Sequence, residues 1–149
     1  MNENLNTYKL LLYVFKRHPI RNEKYKIRLI YFSIIKEFIN KNDKIESELL
    51  EEFKDLFELD QKDINNINKR FLNKSNSFIG KLKNKVLLIY INFKLRKFKY
   101  VLFIDIILIK NKLNDNIFFN KVTKIIKINE NKAKNIFSFL KNILQNNFN

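Results

Sequence analysis

The sequence predicts an all-α fold: one domain, residues 1–149, folded as a bundle of seven or eight helices built from two related helix–turn–helix units. Three observations carry that prediction. Apolar residues recur at helical spacing along most of the chain. The apolar stretch ending at Phe38-Ile39 passes through Asn40-Lys41-Asn42-Asp43-Lys44-Ile45 into a segment that holds most of the carboxylates. A later stretch, from Ile107-Leu108-Ile109-Lys110-Asn111-Lys112-Leu113 to Ile136, repeats the apolar pattern of the first.

The elements follow in order. Tyr8, Leu11, Leu12 and Phe15 stand at i, i+3, i+4 and i+7, an amphipathic helix from about Leu5 to Arg17. Pro19 disfavours helical geometry at His18 and ends it there. His18, the one histidine, reads as a solvated loop residue in a basic turn. A second helix over about Asn22–Asn40 carries an apolar face wide enough for the middle of a bundle, from Tyr25 and Ile27 to Phe38 and Ile39. A third, about Glu46–Phe57, sets Leu49, Leu50, Phe53, Leu56 and Phe57 opposite its acids; carboxylates in its first turn face the positive end of the helix dipole. Asp60-Gln61-Lys62-Asp63 reads as an N-cap with an acid three residues on, opening a short helix to about Arg70.

Asn73–Gly80 reads as a loop. Val86–Phe93 and Phe98–Ile109 are rich in β-branched and aromatic residues, so a hairpin competes with two helices. The connector Lys94-Leu95-Arg96-Lys97 lacks a hairpin-turn dipeptide, and the runs are continuously apolar rather than alternating, which favours helices. A helix over about Asn116–Lys127, an N-cap at Asn129 and a last helix to about Gln145 close the chain.

Composition sets the outer bounds. At 46% hydrophobic, the chain can build a core despite a formal net charge of +15. The lack of cysteine removes disulfides, thiolate nucleophiles and cysteine metal sites. It also suits a reducing compartment, so a cytoplasmic protein is expected, with the membrane surface as a further setting. No stretch reaches about 20 uninterrupted apolar residues; the most apolar, Tyr100–Ile109, is broken by Asp105. Leu10–Phe15 has the look of a short signal core, but Lys16, Arg17 and His18 follow it instead of small residues. The excess of 30 basic over 15 acidic residues has two readings. One is an acidic partner, either nucleic acid or an anionic membrane surface. The other is AT-rich coding, which accumulates Lys, Asn, Ile and Phe without any ligand.

Sliding the chain against itself by 68 residues lays Asp43-Lys44-Ile45 on Asn111-Lys112-Leu113. An offset of 69 then lays Leu49 and Leu50 on Phe118 and Phe119, Phe53 on Val122, Leu56 and Phe57 on Ile125 and Ile126, Leu59 on Ile128, and Ile67 on Ile136. Apolar meets apolar throughout, and both copies share a short turn and a break at Leu59 or Ile128.

From Phe38 to Glu48, and on through Leu49-Leu50-Glu51-Glu52-Phe53-Lys54-Asp55-Leu56-Phe57-Glu58-Leu59, the chain resembles the TerB-like family. This is the helical module of tellurite-resistance proteins and of the N-terminal part of DjlA-type membrane co-chaperones, and the resemblance spans about Arg28 to Ile143. It implies a two-unit helical fold and a non-enzymatic, stress-response or membrane-associated role. The family's turn glycine is replaced by Asp43 in one unit and Asn111 in the other, residues that tolerate a left-handed backbone. Its turn aspartate, proposed to help bind a metal, falls on Asn42 and Lys110. An ammonium there opposes a hard cation, which needs oxygen ligands. No metal or cofactor is therefore expected, and Asp43 with Glu46 reads as a helix-start capping pair.

Charge is unevenly placed. The candidate acidic face is Glu46, Glu48, Glu51, Glu52, Asp55 and Glu58. No carboxylate occurs from Ile64 to Ile104, and that stretch supplies the candidate basic partner-binding face: Lys69, Arg70, Lys74, Lys81, Lys83, Lys85, Lys94, Arg96, Lys97 and Lys99. Tyr90, Phe93, Phe98 and Tyr100 lie among those cations; they read as core side chains, with base stacking as the other reading. Few arginines leave sequence-tolerant backbone binding as the most that nucleic acid could receive. One His, one Gly and no Cys leave no triad, dinucleotide loop or phosphate loop, so no catalytic residue is assigned. The function expected is an interaction or scaffold module that docks a protein partner through its acidic and basic faces. The alternative is a basic, sequence-nonspecific nucleic-acid binder.

Overall fold

Two helices buried on nearly every side form the centre of the molecule, which the computed structural model describes over residues 18–40, 42–68, 85–110 and 115–148. The first is α1 (Tyr25–Glu37), in which Ile30 to Ile35 are all buried; Ser33 keeps its hydroxyl satisfied by donating to Leu29 O at 2.9 Å. The other central helix covers Lys99–Ile109 and buries Leu102, Phe103 and Asp105 through Ile109. A helix enclosed by its neighbours needs apolar residues on nearly all sides, which is why Phe98–Ile109 reads as a continuous apolar run and α1 carries so wide an apolar face. Among the described residues there are seven α-helices and no strand, an all-α bundle.

Helix α1 packs on α2 (Lys44–Leu56) and α3 (Gln61–Asn68). Next in the chain is α4 (Lys85–Ile89), which widens without a break into a π-helical turn, Tyr90–Lys94, closed by Leu95 N–H to Tyr90 O at 2.9 Å. A 3₁₀ turn, Arg96–Phe98, leads into α5 (Lys99–Ile109). Helix α5 packs on α6 (Asn116–Ile126) and α7 (Glu130–Phe148), and α1 meets α5 between the two sets. Each unit is thus a central helix carrying a hairpin partner and a closing helix.

The two units close in the same way. Asp43 caps α2 by accepting Glu46 N–H at 3.1 Å, and Asp115 caps α6 by accepting Phe118 N–H at 2.9 Å. Both second helices end on a left-handed residue, Glu58 (φ 54°) and Lys127 (φ 62°). Just beyond, Leu59 N–H reaches Lys54 O at 3.3 Å and Ile128 N–H reaches Thr123 O at 3.2 Å, the six-residue closure of a Schellman end. A tyrosine on each central helix then accepts the backbone N–H at the start of the third helix: Asp60 N–H to Tyr25 Oη at 3.1 Å, and Asn129 N–H to Tyr100 Oη at 3.0 Å. These closures span 35 residues in the first unit and 29 in the second. Most of the difference falls on the arms, two residues on each, since α1 and α2 have 13 residues each while α5 and α6 have 11. An antiparallel pair must shorten both arms together or its far end cannot close.

This geometry corrects the register of the repeat at the turn. Asp43 matches Asp115, not Asn111, and its φ of −90° is an ordinary N-cap conformation rather than a left-handed one. The shorter α6 also shifts the early match: Leu49 is buried opposite a half-buried Phe118, and Leu50 is half-buried opposite a buried Phe119. From Phe53 and Val122 onward the 69-residue offset holds, with Phe57 and Ile126 both fully buried. Asn22 belongs to a 3₁₀ turn, Pro19–Asn22, ahead of α1. The expected helix at Leu5–Arg17, the loop at Asn73–Gly80 and Asn111–Leu113 lie outside the described residues.

Candidate functional site

His18 is not the solvated loop residue its neighbours Arg17 and Pro19 suggest: it is 1% exposed. Ile20 N–H donates to its Nδ1 at 3.2 Å, which requires a lone pair on that nitrogen and places the ring proton on Nε2. Nε2 then donates to Asp105 Oδ2 at 2.7 Å, and the Tyr31 hydroxyl donates to the same oxygen. Phe53, Phe57 and Tyr31 meet the imidazole edge to face, with centroids 5.9, 5.2 and 5.3 Å away. Burial, followed by the charge of Asp105 and the bond to it, holds the Tyr31 hydroxyl's pKa well above its ordinary value, so Tyr31 stays a donor. Asp105 is fully buried, and its Oδ1 has no hydrogen-bond partner among the described residues.

His, Asp and Tyr in a chain of hydrogen bonds are groups that general acid–base chemistry uses. A substrate would have to reach them, and all three are at most 1% exposed. Their observable effect is to join the segment ahead of α1, helix α1 and helix α5. The sequence did carry a signal for this site. Asp105 interrupts the most apolar run in the chain, and a carboxylate at such a place needs a donor from elsewhere.

A second polar contact joins the corners of the two units. Lys110, the residue after α5, places Nζ 2.9 Å from Glu46 Oε1 and 3.1 Å from Phe38 O, the carbonyl just beyond α1. Glu46 also accepts Asn40 N–H at 3.3 Å. Glu46 is therefore withdrawn from the expected acidic face: it is 8% exposed and held by a cation of the other unit. Asp43 is occupied in capping α2, and Asn42 N–H bonds back to Asn40 Oδ1 at 3.0 Å. Among the described residues no group of three or more His, Asp or Glu side chains could hold a metal.

The remaining acids of that face are exposed. Glu48, Glu51, Glu52 and Asp55 follow i, i+3, i+4, i+7 along α2, so they form one outward stripe, and the exposed Glu58 follows at its end. Of the basic residues, Lys85, Lys94, Arg96 and Lys97 are exposed around α4 and the turn after it. Lys99 is half-buried, and burial, with Lys127 and Arg96 nearby, lowers its pKa. Lys69, Arg70, Lys74, Lys81 and Lys83 lie outside the described residues. Tyr90 and Phe98 pack against the core, and Tyr100 is half-buried beneath the Lys132 ammonium, 4.6 Å from its ring centre. Phe93 departs from the core expectation: it is 77% exposed, and Ile89 one turn before it is 57% exposed.

No helix among the described residues is long and apolar enough to cross a membrane. Comparison with protein-family models, with curated proteins and with solved structures finds no match to this chain.

Proposed function

We propose that this protein is a non-enzymatic interaction or scaffold module of the TerB-like kind, docking partners through separate acidic and basic surfaces in a stress-response or membrane-associated setting. The observation that supports this reading is the outward stripe Glu48, Glu51, Glu52 and Asp55 on α2, set apart in the chain from the exposed Lys85, Lys94, Arg96 and Lys97 around α4. Exposed charges of one sign in a row steer partners of the other sign and set docking register more than they stabilise the fold. The polar groups with chemical potential, His18 and Asp105, are enclosed and serve the fold instead.

The test is affinity capture with the purified, nuclease-treated protein and with a variant carrying Glu51→Lys, Glu52→Lys and Asp55→Lys, whose helicity is checked by circular dichroism. Partner proteins held by the native chain and lost from the variant support the reading. Recovery of nucleic acid with no reproducible protein, or the same proteins on both baits, overturns it.

A further inference from the structure

The segment 85–95 is apolar on two opposite sides. Its inward side is already used, since Ile91 and Leu95 are both 0% exposed and anchor it to the core. Its outward side carries Ile89 at 57% and Phe93 at 77% exposure, four residues apart and so on one side of the helix, with Val86 at 36% one turn earlier. Single exposed apolar residues need no explanation. A row of them along one helical segment, opposite a satisfied inward row, does. The exposed Lys85, Lys94, Arg96 and Lys97 flank that row along the chain, and no carboxylate occurs from Ile64 to Ile104.

We propose that the outward side of α4, with its π turn and the Arg96–Lys97 corner, docks onto an anionic lipid surface. Phe93 and Ile89 enter the boundary between headgroups and acyl chains, while the four cations meet the lipid phosphates and carboxylates. An element that lies on a bilayer combines an apolar side with flanking Lys and Arg in this way. Nucleic acid would use the cations and could stack on Phe93, but its phosphate backbone offers nothing to Ile89. The acidic stripe of a second copy would satisfy the cations and leave Phe93 and Ile89 facing carboxylates. The proposal rests on the reading above only in treating the basic surface as a docking surface, and it makes no use of the acidic stripe.

Vesicle flotation of the full chain tests it, using phosphatidylcholine alone and phosphatidylcholine with about 30% phosphatidylserine, an anionic headgroup of the kind that attracts basic segments. The native chain floats with the anionic vesicles and not with the neutral ones. The Ile89→Ser/Phe93→Ser variant, altered only at exposed positions, keeps its circular dichroism spectrum and partitions at least about ten-fold more weakly. Lys94→Gln/Lys97→Gln weakens partitioning about five-fold per charge. The Glu51→Lys/Glu52→Lys/Asp55→Lys variant floats at least as well as the native chain, which separates this result from the capture experiment. Failure of the native chain to float overturns the proposal. So does equal flotation of the serine variant, which would assign the attraction to the general +15 field, and so does binding to RNA without binding to anionic vesicles.

Discussion

His18 Nε2 lies 2.7 Å from Asp105 Oδ2, a hydrogen bond between residues 87 apart that ties the segment ahead of the first unit to the central helix of the second. Moving an ionised carboxylate into a protein interior costs several kcal/mol, offset only by good hydrogen bonds. His18 and Tyr31 supply them. Removing His18 leaves Asp105 with one fewer donor and opens a gap among Phe53, Phe57 and Tyr31. The His18→Ala variant should therefore lose about 3 kcal/mol of folding stability, read as a lower urea midpoint at unchanged slope. A loss of a few tenths of a kcal/mol, the size of a typical surface change, would mean that the imidazole is solvated.

Tyr31 gives stability an alkaline dependence. Above about pH 10 the tyrosines of the unfolded chain lose their protons. In the folded chain Tyr31, whose pKa is raised by burial and by Asp105, keeps its own. The folded state then binds more protons than the unfolded one, so this contribution is intact below that pH and shrinks as pH rises. In Tyr31→Phe, urea midpoints measured from about pH 9 to pH 11 should fall less steeply than in the native chain. An identical slope would remove Tyr31 from the linkage.

Lys110 and Glu46 couple the two corners, with side chains 18% and 10% exposed. At that burial the pair is screened less than a surface pair. A double-mutant cycle with Lys110→Met and Glu46→Gln should return a coupling energy of about 1–2 kcal/mol. It should persist at high salt, because Glu46 loses a buried partner when Lys110 is replaced. A coupling below about 0.3 kcal/mol, the scatter expected of independent sites, would place the two side chains in solvent.

Glu58 and Lys127 hold left-handed backbones, with φ of 54° and 62°. A side chain with a Cβ is disfavoured there and glycine is not, although glycine has more freedom to lose on folding. Glu58→Gly and Lys127→Gly should each stabilise by about 0.5–1 kcal/mol, and the double variant should show the sum, since the two ends belong to different units. Thermal melts would show midpoints rising in both single variants. A fall in either would mean that its helix ends differently.

The parts of the fold that were legible were local. Asp60 before Gln61 and Asn129 before Glu130 mark helix starts by residue type, and Asn129 Oδ1 does accept Lys132 N–H at 2.9 Å. The apolar spacing of Leu49, Phe53 and Phe57 marked the inward side of α2, and all three are buried. Phe93 was misplaced because aromatic residues at helical spacing look alike whether they face a core or solvent. Glu46 was misplaced because its burial depends on Lys110, which comes from the other unit.

Taken alone, the sequence determined the all-α class, most helix starts and the charge asymmetry, because period, caps and residue type act within a few positions of one another. The tertiary structure decided which polar groups are enclosed, how the arms of each unit match in length, and which apolar residues remain outside. Those outcomes depend on distant segments meeting: whether a His18, a Glu46 or a Phe93 is wet is a property of what packs against it.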